Sequence, residues 1–362
     1  MKICLIGKNL SNFVLARDLL NKNLEVDIIY KYEPKKKNNI RTLAISKANY
    51  SFLKKIVKNL KLYSWPVNGI KIYNDQKKDQ LFHFKKDNEE NFFLIKYDEI
   101  FNSFFKSIKK SKNLKFKKVI NLSKQKNLLR NNNYNLIINS ENNNEINKKY
   151  FFNKIKKNYD SFAYTAIINH KKLKNNIALQ IFTKFGPLAF LPLSNTKTSI
   201  VFSFLNKNKK KEKEILELIK KYNFQYAITG FSNVEKFKLN FSMLRKYYYK
   251  NVLSFGDALH SIHPLAGQGF NMTLRDIKIL SELIDGKINL GLDLNTSLLE
   301  EFQNKTKHLN YIFGSGIDFI HNFFIFDNKF NNVFSNNFFN YLEKNKFINK
   351  YATLFADKGL RV

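Results

Sequence analysis

Residues Ser254–Asp276 read SFGDALHSIHPLAGQGFNMTLRD, and the organisation of the chain follows from what this spacing can build. The apolar run Val252–Phe255 (VLSF) reads as a buried strand that delivers Gly256 and Asp257 to its carboxyl end, where open α/β sheets bind ligands. Gly256 lets the backbone approach closely, and Asp257 offers an acceptor for a sugar hydroxyl. Pro264 stiffens the following turn, while Gly267 and Gly269 supply unusual φ angles and a wall without side chains. A helix follows over about 270–284, and the free N–H groups at its start point back at the turn, an arrangement that stabilises negative charge on a ligand. A lone Gly-Asp pair carries little weight, whereas GDAxHxxxPxxGQGxN is long and specific.

Outward from this stretch, the amino-terminal region reads as strand, turn, helix and strand: KICLI (Lys2–Ile6), Gly7, a helical pattern over about 9–22, then LEVDIIY (Leu24–Tyr30). That is the opening of a dinucleotide-binding fold. RTLAIS at 41–46 precedes a helix over about 47–60. Val67–Tyr97 reads as a β-meander with GIKIYN, LFHF and FFLIKY as strands, followed by a helix over about 98–111. Leu114–Ile120, Lys126–Arg130, Asn135–Asn139, Phe162–His170, Ala178–Thr183, Pro187–Pro192 and Thr198–Leu205 read as further strands. Glu212–Tyr222 is an amphipathic helix with Ile215, Leu216, Leu218 and Ile219 inward. From about Asn295 onward the pattern is helices joined by Asn-rich loops.

A length of 362 residues suggests about two domains. The formal net charge is +34, but its lysines are scattered (KKK at 35–37, KK at 77–78, KKKEKE at 209–214). No Arg-rich arm, zinc spacing or aromatic RNA-binding signature accompanies them, so the expectation is no nucleic acid, with a basic surface that suits an anionic membrane. The single cysteine, Cys4, excludes an internal disulfide and fits a reducing compartment. No stretch of about 18 apolar residues is present. The most apolar late segment, Tyr311–Phe326, contains Asp318 and His321 and suits a buried or interfacial helix. The expected location is cytoplasmic, with peripheral association at the inner membrane.

The sequence GDALHSIHPLAGQGFNMTLRD resembles the second flavin-binding motif of the class A FAD-dependent aromatic-ring monooxygenases. Within that class, HPLAGQGFNMTLRD is similar to the ubiquinone-biosynthesis branch, of the 2-polyprenylphenol hydroxylase type. ALQIFTKFGPLAFLPLSNTKTSIVFS at 178–203 resembles that branch's substrate-domain sheet, and RTLAIS resembles the segment after its second strand, where the family's arginine lies near the flavin. The similarity covers about residues 1–285. It implies an α/β fold with a Rossmann-like, glutathione-reductase-like FAD-binding domain made of 1–65, 98–150 and 250–290. A β-sheet substrate domain (66–97 and 151–249) would be inserted into it, and a helical region (291–362) would follow. The resemblance further implies cofactor contacts from Gly7, Arg41, Gly256, Asp257, Pro264, Gly267, Gln268, Gly269, Phe270 and Asn271. Arg41 would lie near the cofactor, Asp257 on the ribityl chain, and Pro264 with the Gly267–Asn271 turn against the isoalloxazine ring. The negative charge favoured by the helix start would then be that of reduced flavin.

The chain departs from the family at the other end of the cofactor. Gly7-Lys8-Asn9-Leu10-Ser11-Asn12 stands where the family has GxGxxG. Asn9 falls where backbone should meet the pyrophosphate, and Asn12 where helix should pack on strand. Asn tolerates positive φ better than most residues, so the turn can form, with its side chain crowding the phosphate. Lys8 is a candidate to meet the pyrophosphate. Tyr30 or Lys31 occupies the place of the acidic residue that binds adenosine ribose, with Glu33 the nearest carboxylate. Glu141-Asn142 stands where the family has Asp-Gly.

The implied activity is hydroxylation of the aromatic ring of a polyprenylated phenol or quinol precursor of ubiquinone, with FAD as cofactor, NAD(P)H as transient reductant and O2 as co-substrate. No Ser/His/Asp triad or metal spacing is evident, and no catalytic side chain is assigned; His260 and His263 lie within the motif and can serve either flavin or the turn itself. Two alternatives remain: a non-catalytic, flavin-poor homologue acting as a partner in a quinone-biosynthesis complex, and a flavin hydroxylase for another aromatic compound.

Overall fold

The computed structural model describes residues 1–31, 40–75, 80–85, 90–119, 133–205, 211–262 and 268–327. Pro264, Gly267, His263, Glu33 and the strand expected at Lys126–Arg130 lie outside the described residues.

Burial explains the first layer. β1 (Lys2–Ile6) has every residue after Lys2 fully enclosed, which fits a strand covered on both faces. It pairs in parallel with β2 (Glu25–Tyr30) on one side. The connection is α1 (Leu10–Asn21), which buries Phe13, Val14, Leu15, Ala16 and Leu19 on the sheet. After β3 (Thr42–Ser46), α2 (Lys47–Ile56), β4 (Ser64–Val67), β5 (Gly69–Asn74), β6 (Gln80–Lys85), β7 (Phe92–Lys96) and α3 (Tyr97–Lys109), the chain returns to this sheet. It adds β8 (Leu114–Lys118) beside β2 and β9 (Leu136–Asn139) beside β1, both parallel.

α4 (Glu145–Tyr150) leads into a second sheet of β10 (Lys154–His170), β11 (Ile177–Thr183), β12 (Gly186–Ser194), β13 (Lys197–Leu205), β14 (Ile228–Phe231) and β15 (Glu235–Leu244). The amphipathic helix α5 (Glu212–Tyr222) covers one face of it with Ile215 and Ile219. The chain then re-enters the first sheet through β16 (Tyr248–Tyr249) and β17 (Val252–Ser254). The short β18 (His260–Ser261), α6 (Gln268–Asn289) and α7 (Thr296–Asp327) complete the described chain.

The first sheet has the order β16-β17-β9-β1-β2-β8, and the second β18-β15-β10-β13-β12-β11-β5-β6, with β14 beside β10. β5 and β6 thus join the second sheet across the parallel pairing of β5 with β11. β7 differs from the sequence-based grouping: it pairs antiparallel with β3 on one side and β4 on the other in a separate three-stranded sheet. That small sheet packs Ala44, Val67 and Leu94 against Ala178 of β11, so it sits between the two larger layers.

Of the helices expected from about Asn295, the first is described, and residues 328–362 lie outside the described residues. α7 is one helix of 32 residues. Its first half joins the core of the parallel sheet through Leu298, Leu299 and Phe302, and its second half joins a cluster under β10 and β15 through Phe313 and Ile317.

Candidate functional site

Three neighbouring parallel strands end at the same edge. Ile6 of β1 pairs with Asn139 of β9, which pairs with Ser254 of β17. The residues just past those ends, Gly7, Ser140 and Gly256, therefore converge, at the position where ligands of such sheets bind.

Gly256 has φ +57, and a Cβ there would lie 3.2 Å from Ser11 Oγ, so the turn is pressed against the start of α1. Asp257 follows with its side chain exposed to the cleft. Arg41, at the entry to β3, also faces the cleft and lies over the Tyr97 ring, 5.5 Å from its centroid. Burial raises the Tyr97 phenol; Arg41 opposes that, Asp257 adds to it, and a hydrogen bond from the Leu10 backbone opposes it again. A cation, a carboxylate, a phenol and a helix start thus gather at one spot. Asn9, Ser11, Arg41, Tyr97, Ser140 and Asp257 line a cavity of about 60 Å³ there, with Phe270 of α6 at its wall.

The start of α6 brings Gln268, Gly269, Phe270 and Asn271 to this region. Gln268 Oε1 is buried and has no hydrogen-bond partner among the described residues. Asn271 has another task. Its Nδ2 donates to Ala44 O at 2.8 Å, and its Oδ1 accepts from Ser46 N at 3.1 Å and from Asn49 Nδ2 at 3.0 Å. The side chain thus pins α6 to β3 and α2, fixing the helix start relative to Arg41.

His260 is taken up in the same way. Its Nε2–H donates to Asp276 Oδ2 at 2.6 Å, and Asn310 Nδ2 donates to the other carboxylate oxygen at 3.0 Å. This buried triad ties β18, α6 and α7 together. Among the described residues no cluster of His, Cys, Asp or Glu is arranged to hold a metal.

The amino-terminal turn is held differently from a glycine-rich one. Gly7 keeps φ +115, and a Cβ there would meet Asn9 Nδ2 and Glu141 Cγ at 2.9 Å. Asn9 is the N-cap of α1: its Oδ1 accepts from Asn12 N at 3.1 Å, while its Nδ2 donates to Ser140 Oγ at 2.8 Å. Asn12, fully buried, donates from Nδ2 to Ile6 O and Gly7 O. That amide replaces close glycine packing by bonding the strand end directly. Glu141 follows Ser140, and burial raises its carboxyl against the pull of Lys31. Behind it, Asn139, Asn144 and Asn147 form a closed amide network. Lys8 lies over the Tyr30 ring at 4.7 Å, close to Phe105 and Phe116.

The residues therefore suit a flavin at one end and not at the other. The Gly256 cradle, Asp257, Arg41 and the Gln268 oxygen fit a ribityl chain and ring. The pyrophosphate end is bridged by Asn9 and Ser140. The roles of Ser140, Tyr97 and Ser11 were not legible in the sequence; only Asn9, as a capping residue before an apolar helix, carried a readable signal.

The fold is that of the FAD-dependent monooxygenases. The p-nitrophenol 4-monooxygenase PnpA from Pseudomonas putida superposes with a TM-score of 0.78 at 12% identity, over 99% of this chain and 98% of that one. PqsL from Pseudomonas aeruginosa, a probable FAD-dependent monooxygenase, gives 0.69 at 14% identity over 87% and 94%. Residues 147–288 match the family described as FAD binding domain, and residues 233–356 that described as squalene epoxidase.

Among sequences, the chain is a relative of the ubiquinone-biosynthesis FAD monooxygenases. It is 26% identical over 206 residues to the mitochondrial ubiquinone biosynthesis monooxygenase COQ6 of Danio rerio, covering 45% of this chain and 43% of that protein. It is 26% identical over 153 residues to the ubiquinone hydroxylase UbiL of Rhodospirillum rubrum, covering 40% and 36%. The matched segments span less than half the length of these relatives.

Proposed function

We propose that this chain is an FAD-dependent monooxygenase that hydroxylates the aromatic ring of a polyprenylated phenol or quinol precursor of ubiquinone. The observation that carries it is the Gly256–Asp257 turn facing the α6 start at the carboxyl edge of the parallel sheet. The FAD-binding-domain match and the ubiquinone-pathway relatives support the same reading.

When bound, FAD supplies the redox chemistry that activates O2 with electrons from NAD(P)H. The chain's own part is to bind, orient and keep dry. Asp257 accepts from the ribityl chain, and the first N–H groups of α6 favour negative charge beside the ring. Arg41, held over Tyr97, adds positive charge at the cleft. Asn271 fixes α6 against β3, so these groups keep their spacing. The apolar cluster of Phe241, Met243, Ile262, Met272 and Phe313 between the substrate-side sheet and α6 excludes water from that side. The basic chain suits an anionic membrane surface, where a lipid-soluble substrate resides.

The test is conversion of prenylated phenols in the presence of FAD, NAD(P)H and O2, followed by mass spectrometry of the product. A mass gain of one oxygen on the ring supports the proposal; NAD(P)H oxidation that yields only peroxide with every prenylated phenol counts against it. The bridge at the pyrophosphate end favours a second reading, a flavin-poor partner in a quinone-biosynthesis complex. It predicts a chain that co-purifies with other proteins and turns over none of these phenols.

A further inference from the structure

We infer that Asn9 and Ser140 form a latch across the pyrophosphate end of the site, and that this latch sets how much the chain gains from the ADP half of FAD. The inference rests on the FAD reading above.

Three observations meet here. First, Asn9 is fastened on both sides: Oδ1 caps Asn12 N of α1, and Nδ2 reaches Ser140 Oγ on the neighbouring strand end. The start of α1 is where backbone N–H groups would meet an anionic pyrophosphate. The cap already engages the Asn12 N–H, and the bond to Ser140 holds the Asn9 side chain across that helix start. Second, Ser140 is held in place from behind, its Oγ–H donating to Ile6 O at 3.1 Å. The hydroxyl therefore presents its lone pairs to Asn9 from a fixed position. Third, the cavity that Asn9 and Ser140 share with Asp257 and Arg41 is only about 60 Å³, the room of a couple of waters, and the Glu141 side chain packs on the Gly7 side of the latch. An anion entering there meets a closed amide bridge and a neighbouring carboxyl group.

Asp257, across the cavity, is exposed, and the hydrogen bonds of Asn9 and Ser140 run to Asn12, to each other and to Ile6 rather than to the Gly256–Asp257 turn. The latch is thus selective: it acts on the dinucleotide half and leaves the ring and ribityl half alone. Affinity for a ligand whose competent state is only partly populated falls by that population. Opening one hydrogen bond of ordinary strength therefore lowers apparent FAD affinity by about three- to tenfold. Further loss comes from Glu141.

The test compares FAD with riboflavin, which lacks the pyrophosphate, by fluorescence titration of the full chain and of the Asn9→Gly, Ser140→Ala and Glu141→Gln variants. Gly is itself tolerated at an N-cap, so Asn9→Gly should keep α1. Ser140→Ala opens the latch while leaving that cap intact, and thermal melts check both. The expected result is FAD binding tightened about five- to tenfold in Asn9→Gly and Ser140→Ala, with riboflavin affinity unchanged. Glu141→Gln should tighten FAD in the same direction. Unchanged or weaker FAD binding in both folded latch variants would overturn the latch, as would equal tightening of riboflavin. Failure of every variant to bind either flavin would instead overturn the FAD reading, and the latch with it.

Discussion

Asp257 stands exposed just beyond β17, with no side-chain hydrogen bond among the described residues. Its replacement by Ala should therefore cost little stability while weakening flavin binding at least about tenfold, as expected for loss of a charge-assisted hydrogen bond. Fluorescence titration with riboflavin reads this without interference from the latch, and an unchanged affinity would remove Asp257 from the site. Asn271 behaves in the opposite way. Its amide satisfies Ala44 O, Ser46 N and Asn49 in a buried setting, so Asn271→Ala should destabilise the chain by about 2–3 kcal/mol, measured by urea unfolding. Both residues sit in one motif and both are readable from sequence, but only coordinates separate a ligand-facing carboxylate from a structural amide.

Asp27, midway along β2, gives a pH dependence. Burial works to raise its carboxyl, but hydrogen bonds from Lys117 Nζ at 2.7 Å and Tyr134 Oη at 2.6 Å outweigh it, helped by the charges of Lys117 and Lys2. Its value in the folded chain is therefore depressed. Stability from this group is present above the unfolded value of about 3.9 and is lost as pH falls through the lower folded value. Asp27→Asn should flatten the loss of unfolding free energy on the acid side of pH 4; an unaltered acid limb would show that these bonds contribute nothing to the titration.

At the level of elements, the triad of His260, Asp276 and Asn310 joins β18, α6 and α7. Asp276→Ala leaves two buried donors without acceptors and should cost about 3 kcal/mol, with proteolysis within α7 as the expected second sign. A melting point within about 1 °C of the parent would mean that water replaces the carboxylate at no cost. The strands and helices of the FAD-side sheet were legible because their apolar runs are short and unbroken, as in KICLI and LEVDIIY. β15 was not, although EKFKLNFSML alternates: Lys236, Lys238 and Asn240 are exposed and dilute the apolar face. The helical character of Tyr311–Phe326 was legible from its apolar run, while its continuity with the segment before it was not. In the fold Gly314 lets α7 press on Met243, whose Cε would lie 2.8 Å from an added Cβ. The pairing of β7 with β3 and β4 was hidden too, since nothing local in a strand names its partner.

Across the whole molecule, the formal charge is +34, and no helix among the described residues is long and apolar enough to cross a membrane. α7 leaves Tyr311, Ile312, Phe319 and Phe326 exposed. Sedimentation with anionic vesicles at low salt, falling away at roughly 0.5 M salt and absent with neutral vesicles, is the expected behaviour of a basic peripheral protein. Salt-insensitive binding to neutral vesicles would assign the association to the aromatic face of α7 instead.

The measurement that bears most directly on the chain as a flavoprotein is a titration of the purified protein with FAD, with bound flavin read from its visible absorption after removal of the free cofactor. Stoichiometric binding that saturates in the parent and is lost in Asp257→Ala is the predicted result. A chain that retains no flavin at any FAD concentration, or one whose flavin binding is indifferent to Asp257, would contradict a flavin site at the Gly256–Asp257 turn.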